Sequence, residues 1–317
     1  MTTDFQSPAT IEQNGATIGP DTLSAQARQA IGAAYSENTR RAYVQAWDRF
    51  CTVVGASLSM PAAPATIANY LALLAEEGKS VATVRLVAAA ISTAHRAAEG
   101  DIPCVSPVVK MALKGFSRQH GQPQVQASAL DAAALDAIRA SAMLRRTGRR
   151  GLPEAPDHAA QRGQVDIALC RLLSDAGLHR SEAAALTWAD VEFAADGSGR
   201  IRIARSKTDQ EGGGGEIVAI TPSTVQALGA MRNGAGDDSS VFGMSESTIG
   251  RRVKSAAAAA GLGDNFSGHS DRVGLAQRMT AAGSPAHSVM VQGRWKKAGT
   301  VARYTKVISA GAVPQWL

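Results

Sequence analysis

Aromatic side chains are scarce: Phe, Tyr and Trp make up 4% of the 317 residues. With so few rings and so much alanine, the interior is expected to close on small and aliphatic side chains packed between helices. Three cysteines, Cys51, Cys104 and Cys170, stand far apart without ligand-like spacing. That excludes a disulfide framework and a zinc knuckle, and leaves buried thiols in a reducing compartment. No apolar run approaches the roughly 20 residues that span a bilayer. The opening MTTDFQSPATIEQNG is too polar and acidic for a signal peptide. A cytoplasmic protein with no membrane partner is therefore expected. There is no GxxxxGK[ST] phosphate loop, no HExxH and no paired carboxylate cluster, so no nucleotide, metal or other cofactor is called for. What is present is a globular mixture, 45% hydrophobic and 19% charged, with a formal net charge of +6. An excess of that sign points to a polyanionic partner, nucleic acid first, although by itself it is a weak signal.

Residues 1–20 read as a disordered tail. From 21 to 119 the pattern is helical throughout. In SENTRRAYVQAWDRFCTVVG, Tyr43, Trp47 and Phe50 make one apolar stripe, Ser36 or Asn38 can cap the start and Gly55 ends it. PATIANYLALLAEEG and SVATVRLVAAAISTAHRAAEG repeat the design with terminal glycines, and a further helix is expected over 107–118. QHGQPQVQASAL is the best linker in the chain and places a boundary at 120–130. The second domain, 131–317, mixes helices with one convincing β-hairpin, IRIARSKTDQEGGGGEIVAIT. The Arg-rich RRTGRRGLPEAPDHAAQRG before it reads as a loop whose arginines could reach phosphates. The fold class is thus mainly α with a small β-sheet or hairpin in the C-terminal domain.

Chemistry-bearing residues gather in the second domain. In SGHSDRVG, His269 and Arg272 are three apart and share a helix face, next to Ser and Gly residues that suit a helix N-terminus, where free N–H groups favour an anion. Lys207 ends the first strand of the hairpin and could enter a groove or donate a proton. Tyr304, in VARYTK, sits among cations that favour a phenolate. Each has a bland alternative: a capped surface helix, a solubilising lysine, a packed tyrosine. Upstream, DAGLHRSEAAAL places a glycine, His179, Arg180 and Glu182 at what reads as a phosphate-binding corner.

Taken in order, the GLHRSE corner, the hairpin lysine, His-x-x-Arg, Trp295 and Tyr304 resemble the tyrosine recombinase (phage integrase) family, over most of the second domain. Trp rather than His before the tyrosine is most similar to Cre-like members. The resemblance implies a two-domain clamp, a helical core-binding domain and an α+β catalytic domain, closing on double-stranded DNA at an inverted-repeat site, as a homodimer on each site and a homotetramer in synapsis. It implies that Tyr304 attacks a phosphodiester to leave a 3′-phosphotyrosine. Arg272 would clamp the phosphate, His269 hydrogen-bond it or take the phenol proton, Lys207 protonate the departing 5′-oxygen, and Trp295 buttress the pocket.

One position departs from the family pattern. Members read G-L-R-x-S-E at the corner, and the clamp position here is His179, with Arg180 one residue later. Imidazole offers one or two donors against five for guanidinium, and is mostly neutral at physiological pH. Loss of a charged bidentate donor from the transition state could cost on the order of 10²–10³ in rate. Three readings stay open: cleavage is crippled while binding survives, whether the histidine is natural or introduced; His179 is a weaker clamp; or Arg180 swings into the pocket. Glu182 would orient the corner by pairing with a nearby base. A catalytically impaired architectural DNA-binding protein and a type IB-like topoisomerase are the alternatives to an active recombinase. Arg40, Arg41 and Gln45 on one helix and Arg85 on another are the candidates for DNA contact, against the plain alternative of a solvated basic face.

Overall fold

The computed structural model describes residues 11–13, 16–18, 34–98, 100–122, 125–148, 151–203 and 215–312. The chain divides into two compact units, Met1–Gln124 and Val125–Leu317. The first unit contains a short antiparallel pair, β1 (Ile11–Gln13) with β2 (Ala16–Ile18). The rest of the stretch read as a disordered tail lies outside the described residues; the pair itself fits the sequence, since β-branched residues flank an Asn-Gly dipeptide, the strongest short-range hairpin signal.

Helices make up the rest of the described first unit: α1 (Glu37–Val54), α2 (Ala56–Ser59), α3 (Pro64–Glu76), α4 (Val81–Ala97) and α5 (Pro107–His120). Their starts follow from local chemistry. Ser36 and Ser80 accept the N–H groups of Thr39 and Thr83, and prolines open α3 and α5, where a missing N–H costs nothing. Phe50, Ile67, Leu71, Leu74, Val84, Ile91 and Val109 bury their side chains between these helices. His95, also buried, accepts the Ala62 N–H at Nε2 (3.0 Å), which assigns its ring proton to Nδ1, 2.9 Å from the Ile91 carbonyl. It is a satisfied core histidine.

The second unit is built around a long buried helix, α7 (Pro156–Ala176), preceded by α6 (Ala132–Ser141) and followed by α8 (Arg180–Ala185). An antiparallel sheet in the order β3 (Val191–Phe193), β4 (Gly199–Ile203), β5 (Glu216–Ile220) lies against it, with Ile201 opposite both Val191 and Val218. Ile201, Ile203, Val218 and Ile220 face the core. Then come α9 (Pro222–Arg232), α10 (Glu246–Ala259), α11 (Ser270–Ala281), α12 (Ala286–Gly293) and α13 (Ala298–Ala312).

The Arg-rich stretch is a loop only in part. α7 begins inside it at Pro156, and two of its arginines turn inward. The buried Asp166 carboxylate takes Arg146 at 3.0 Å, Arg162 at 3.3 Å and Arg252 of α10 at 2.8 Å. A carboxylate removed from water requires such partners. Arg146 is therefore a structural residue, whereas Arg149 and Arg150 lie outside the described residues.

Asp175, near the end of α7, ties three elements together. It accepts the Thr221 N–H (3.0 Å), the Thr221 and Thr224 hydroxyls (2.6 Å each) and Arg278 of α11 (3.1 Å). Gly274 lets α11 touch the chain at Leu130; a Cβ on it would overlap the Leu130 backbone. Gly274→Ala is accordingly expected to lower unfolding free energy by about 2 kcal/mol. Gly229→Ala on α9, where an added Cβ meets nothing within 4 Å, should be neutral or stabilising by up to about 1 kcal/mol. Urea unfolding of the two variants checks the pair; equal effects would contradict the packing described.

Candidate active site

α7 terminates at Gly177, whose φ of 55° is left-handed. A side chain there would be strained, and its Cβ would meet Leu275 at 2.7 Å. The chain then turns through buried Leu178 into His179, the N-cap of α8, whose backbone N–H donates to Glu182 Oε2 at 2.8 Å. The turn leaves the Gly177 carbonyl pointing at two guanidinium groups. Arg272 donates to it from Nη1 at 2.6 Å and Arg294 from Nη2 at 3.0 Å.

Arg272 is 3% exposed and is held on a second side by Nη2 on the Gly293 carbonyl at 2.8 Å. Its guanidinium lies 4.8 Å from the centre of the Trp295 ring, a cation–π stack. The indole in turn lies on Gly293, where any Cβ would overlap the ring. Burial pulls the Arg272 pKa below its ordinary value; the Asp271 charge opposes this and the Arg294 charge adds to it. Guanidinium starts so high that it stays charged.

Tyr304, on α13, is 6% exposed, and its hydroxyl hydrogen-bonds His269 Nε2. The two rings meet edge to face at 5.5 Å, and Trp295 packs on Tyr304 at 5.7 Å. His269 is the N-cap of α11 and is held by its own N–H on Ser267 Oγ at 3.2 Å. Gln277 fixes the tyrosine's backbone by donating to its carbonyl at 3.0 Å. Burial pushes the Tyr304 phenol above its ordinary value, against the lowering influence of Arg272 and Arg303. At neutral pH the phenol keeps its proton, so its use as a nucleophile requires an acceptor for that proton. The imidazole is in place to be one.

Of the residues expected from sequence, four are linked in a chain of contacts, His269 to Tyr304, Tyr304 to Trp295 and Trp295 to Arg272. Glu182 reaches the same place from α8, where the base it pairs with is Arg294, at 2.7 Å. His179 is half-buried at the corner. Arg180 is exposed and lies along Gly250 and Gly268, so close that a Cβ on Gly268 would stand 2.5 Å from its Cδ. Lys207 falls outside the described residues. In the first unit Arg40 and Arg41 are exposed and both pair with Glu37, Arg41 at 3.8 Å, while Gln45 is exposed on the same helix. Arg85 donates to Ser117 at 3.0 Å. Exposed pairs of this kind contribute a few tenths of a kcal/mol and yield readily to a phosphate.

The model of the phage integrase family matches residues 152–310, half of the chain. The chain belongs to the phage integrase family. It is 28% identical over 315 aligned residues to an integrase/recombinase XerD homolog of Selenomonas ruminantium, covering 89% of this chain and 85% of that protein. Its fold is similar to that of the Tn1549 transposon integrase solved with transposon right end DNA, at 14% identity and a TM-score of 0.59, over 92% of this chain and 98% of that one. It is also similar to the XerH site-specific recombinase bound to a palindromic difH substrate, at 14% identity and a TM-score of 0.51, over 80% and 72%.

For a phage integrase family member, two site residues escaped the sequence reading. Arg294 stands between a helix-ending glycine and Trp295 and belongs to no apolar period; its only signal was a charge between two residues that both pack. Asp271 lies between His269 and Arg272 and carries no pattern of its own in the sequence. It is buried, and neither oxygen has a well-aligned hydrogen-bond partner among the described residues. Burial raises its pKa from 3.8 to about 7, despite the opposing charge of Arg272.

That shift has a sign. Between pH 4 and 7 the folded chain holds a proton at Asp271 that the unfolded chain has lost, so this group makes stability fall as pH rises toward 7 and level off above it. Asp271→Asn removes the slope. Denaturant midpoints are expected to fall less for the variant than for the parent between pH 5 and 8, by on the order of a few kcal/mol of unfolding free energy. Parallel curves would contradict an uncharged, buried Asp271.

Proposed function

We propose that this chain is a site-specific DNA recombinase that cuts and rejoins DNA through Tyr304. The observation that carries the reading is the hydrogen bond from the Tyr304 hydroxyl to His269, with Arg272 held three residues on and stacked on Trp295. Tyr304 Oη attacks the phosphorus and its proton passes to His269 Nε2. The P–O5′ bond breaks, leaving a 3′-phosphotyrosine, and the departing 5′-oxygen takes a proton from Lys207. Arg272 neutralises the non-bridging oxygens as charge builds on them. A 5′-hydroxyl then attacks the phosphotyrosine and releases Tyr304. The phosphotyrosine keeps the energy of the broken linkage, so no nucleotide is consumed.

In this reading the first unit is the core-binding domain and the second the catalytic domain, with the boundary in the 120–130 linker, and the two close on the duplex as a clamp. Arg40, Arg41, Gln45 and Arg85 contact the DNA in its major groove, while Lys and Arg contacts to the phosphate backbone from both units supply most of the affinity and make binding strongly salt-dependent. The palindromic substrate of the XerH neighbour supports an inverted-repeat site, and the two-fold symmetry of such a site favours a dimer on each site and a tetramer in synapsis. Val313, Trp316 and Leu317, which the family resemblance would place in a terminal segment docking into a neighbouring protomer, lie outside the described residues.

His179 favours a second reading alongside the first, in which the chain binds DNA and cleaves it slowly. Covalent capture on a nicked suicide substrate at matched DNA occupancy tests both. The parent is expected to give a slow adduct, Tyr304→Phe none, and His179→Arg an adduct faster by about 10²-fold. An adduct that survives Tyr304→Phe would overturn the proposal. Equal rates for the parent and His179→Arg would overturn the slow-cleavage reading and make His179 a working clamp.

A further inference from the structure

Arg294 occupies a backbone position that suits glycine. It follows the last residue of α12 with φ 55°, a left-handed conformation that an L-residue adopts at a cost and glycine adopts freely. Its N–H closes the helix on Val291 O at 3.1 Å, and the next N–H, that of Trp295, returns to Met290 O at 2.9 Å. A long cation in this conformation is retained against backbone preference, which directs attention to what the side chain does.

The side chain is 3% exposed and joins three separate segments. Nη2 donates to the Gly177 carbonyl at 3.0 Å and to Glu182 Oε2 at 2.7 Å, and Nε stands 3.5 Å from Glu216 Oε2. Nη1 is buried without a hydrogen-bond partner among the described residues. The Gly177 carbonyl is the one that Arg272 also holds, and Glu182 Oε2 is the atom that takes the His179 N–H. Glu216 opens β5, the strand that follows the segment carrying Lys207. One guanidinium therefore meets the corner behind position 179, the carbonyl shared with Arg272, and the loop end of the β4–β5 hairpin.

We infer that Arg294 is a positioning residue for strand cleavage, holding the His179 corner and Arg272 in one arrangement through Gly177 and Glu182. The inference rests on the recombinase reading. It explains how a corner lacking the family's arginine at 179 keeps a buried Glu182: the carboxylate's cation comes from the segment before Trp295. It also assigns Arg294 no contact with DNA, since the guanidinium is buried with Nη2 and Nε turned to Gly177, Glu182 and Glu216.

Arg294→Gly is the informative variant, because it removes the guanidinium while suiting the left-handed backbone. With the parent, Arg294→Lys and Tyr304→Phe, it is assayed for thermal unfolding, affinity for a DNA half-site, and single-turnover adduct formation at saturating protein. Half-site affinity is expected to stay within about threefold, while adduct formation falls by about 100-fold, the scale of an ångström's misplacement. Methylguanidinium at a non-denaturing concentration should restore about tenfold of that loss to Arg294→Gly and nothing to Tyr304→Phe; a purely structural role predicts no such rescue. Arg294→Lys, a point charge without the fork, should recover only part of the rate.

A cleavage rate for Arg294→Gly within about threefold of the parent overturns the inference. Should that variant not fold, Glu182→Gln breaks the same pair from the other side, and unchanged cleavage there overturns it equally. A parent that forms no Tyr304-dependent adduct overturns the recombinase reading itself, which keeps the two failures apart.

Discussion

The Gly177 carbonyl oxygen has two lone pairs, and each takes a guanidinium: Arg272 Nη1 at 2.6 Å and Arg294 Nη2 at 3.0 Å. Two buried cations side by side repel, so this arrangement needs the carbonyl dipole and the Glu182 carboxylate to hold it. It also needs Gly177 in the left-handed region, because that conformation ends α7 and frees the carbonyl from the helix. Once the oxygen is so placed, the other elements are constrained. α11 must deliver Arg272, α12 must end at Gly293 to deliver Arg294 and Trp295, and α8 must start where Glu182 can reach back to His179.

The same constraint accounts for the character of the site. Tyr304 is packed between His269 and Trp295 and is harder to ionise than a tyrosine in water. A low-dielectric pocket that discourages the phenolate strengthens the hydrogen bonds and charges aimed at a phosphate. Arg272 is held in place on two carbonyls and stacked on an indole. Burial disfavours its charged form and pulls its pKa down, a penalty that a bound phosphate would offset.

Much of this was legible in the sequence, and the reasons are local. Ser36 and Gly55 mark α1 because capping chemistry is a property of neighbouring residues. The hairpin of β4 and β5 announces itself by alternation, and His269, Arg272, Trp295 and Tyr304 stand out through residue type, order and spacing. What could not be read is set by tertiary contact. β3 is three residues long and gains its identity only by pairing with β4. The helical start of α7 was hidden in an Arg-rich stretch, since the partner that turns Arg146 and Arg162 inward is Asp166, buried by the packing of α7 against α10. Arg294 and Asp271 carry no pattern at all; their roles follow from burial.

If Tyr304 is the nucleophile proposed above, its Oη becomes bonded to a DNA 3′-phosphate. The most direct measurement is mass spectrometry of a tryptic digest of the trapped protein–DNA adduct after nuclease treatment. The expected product is a nucleotide joined through its 3′-phosphate to the tyrosine of the Tyr304–Lys306 peptide. A nucleotide on another residue, or one joined through its 5′-phosphate, would contradict it.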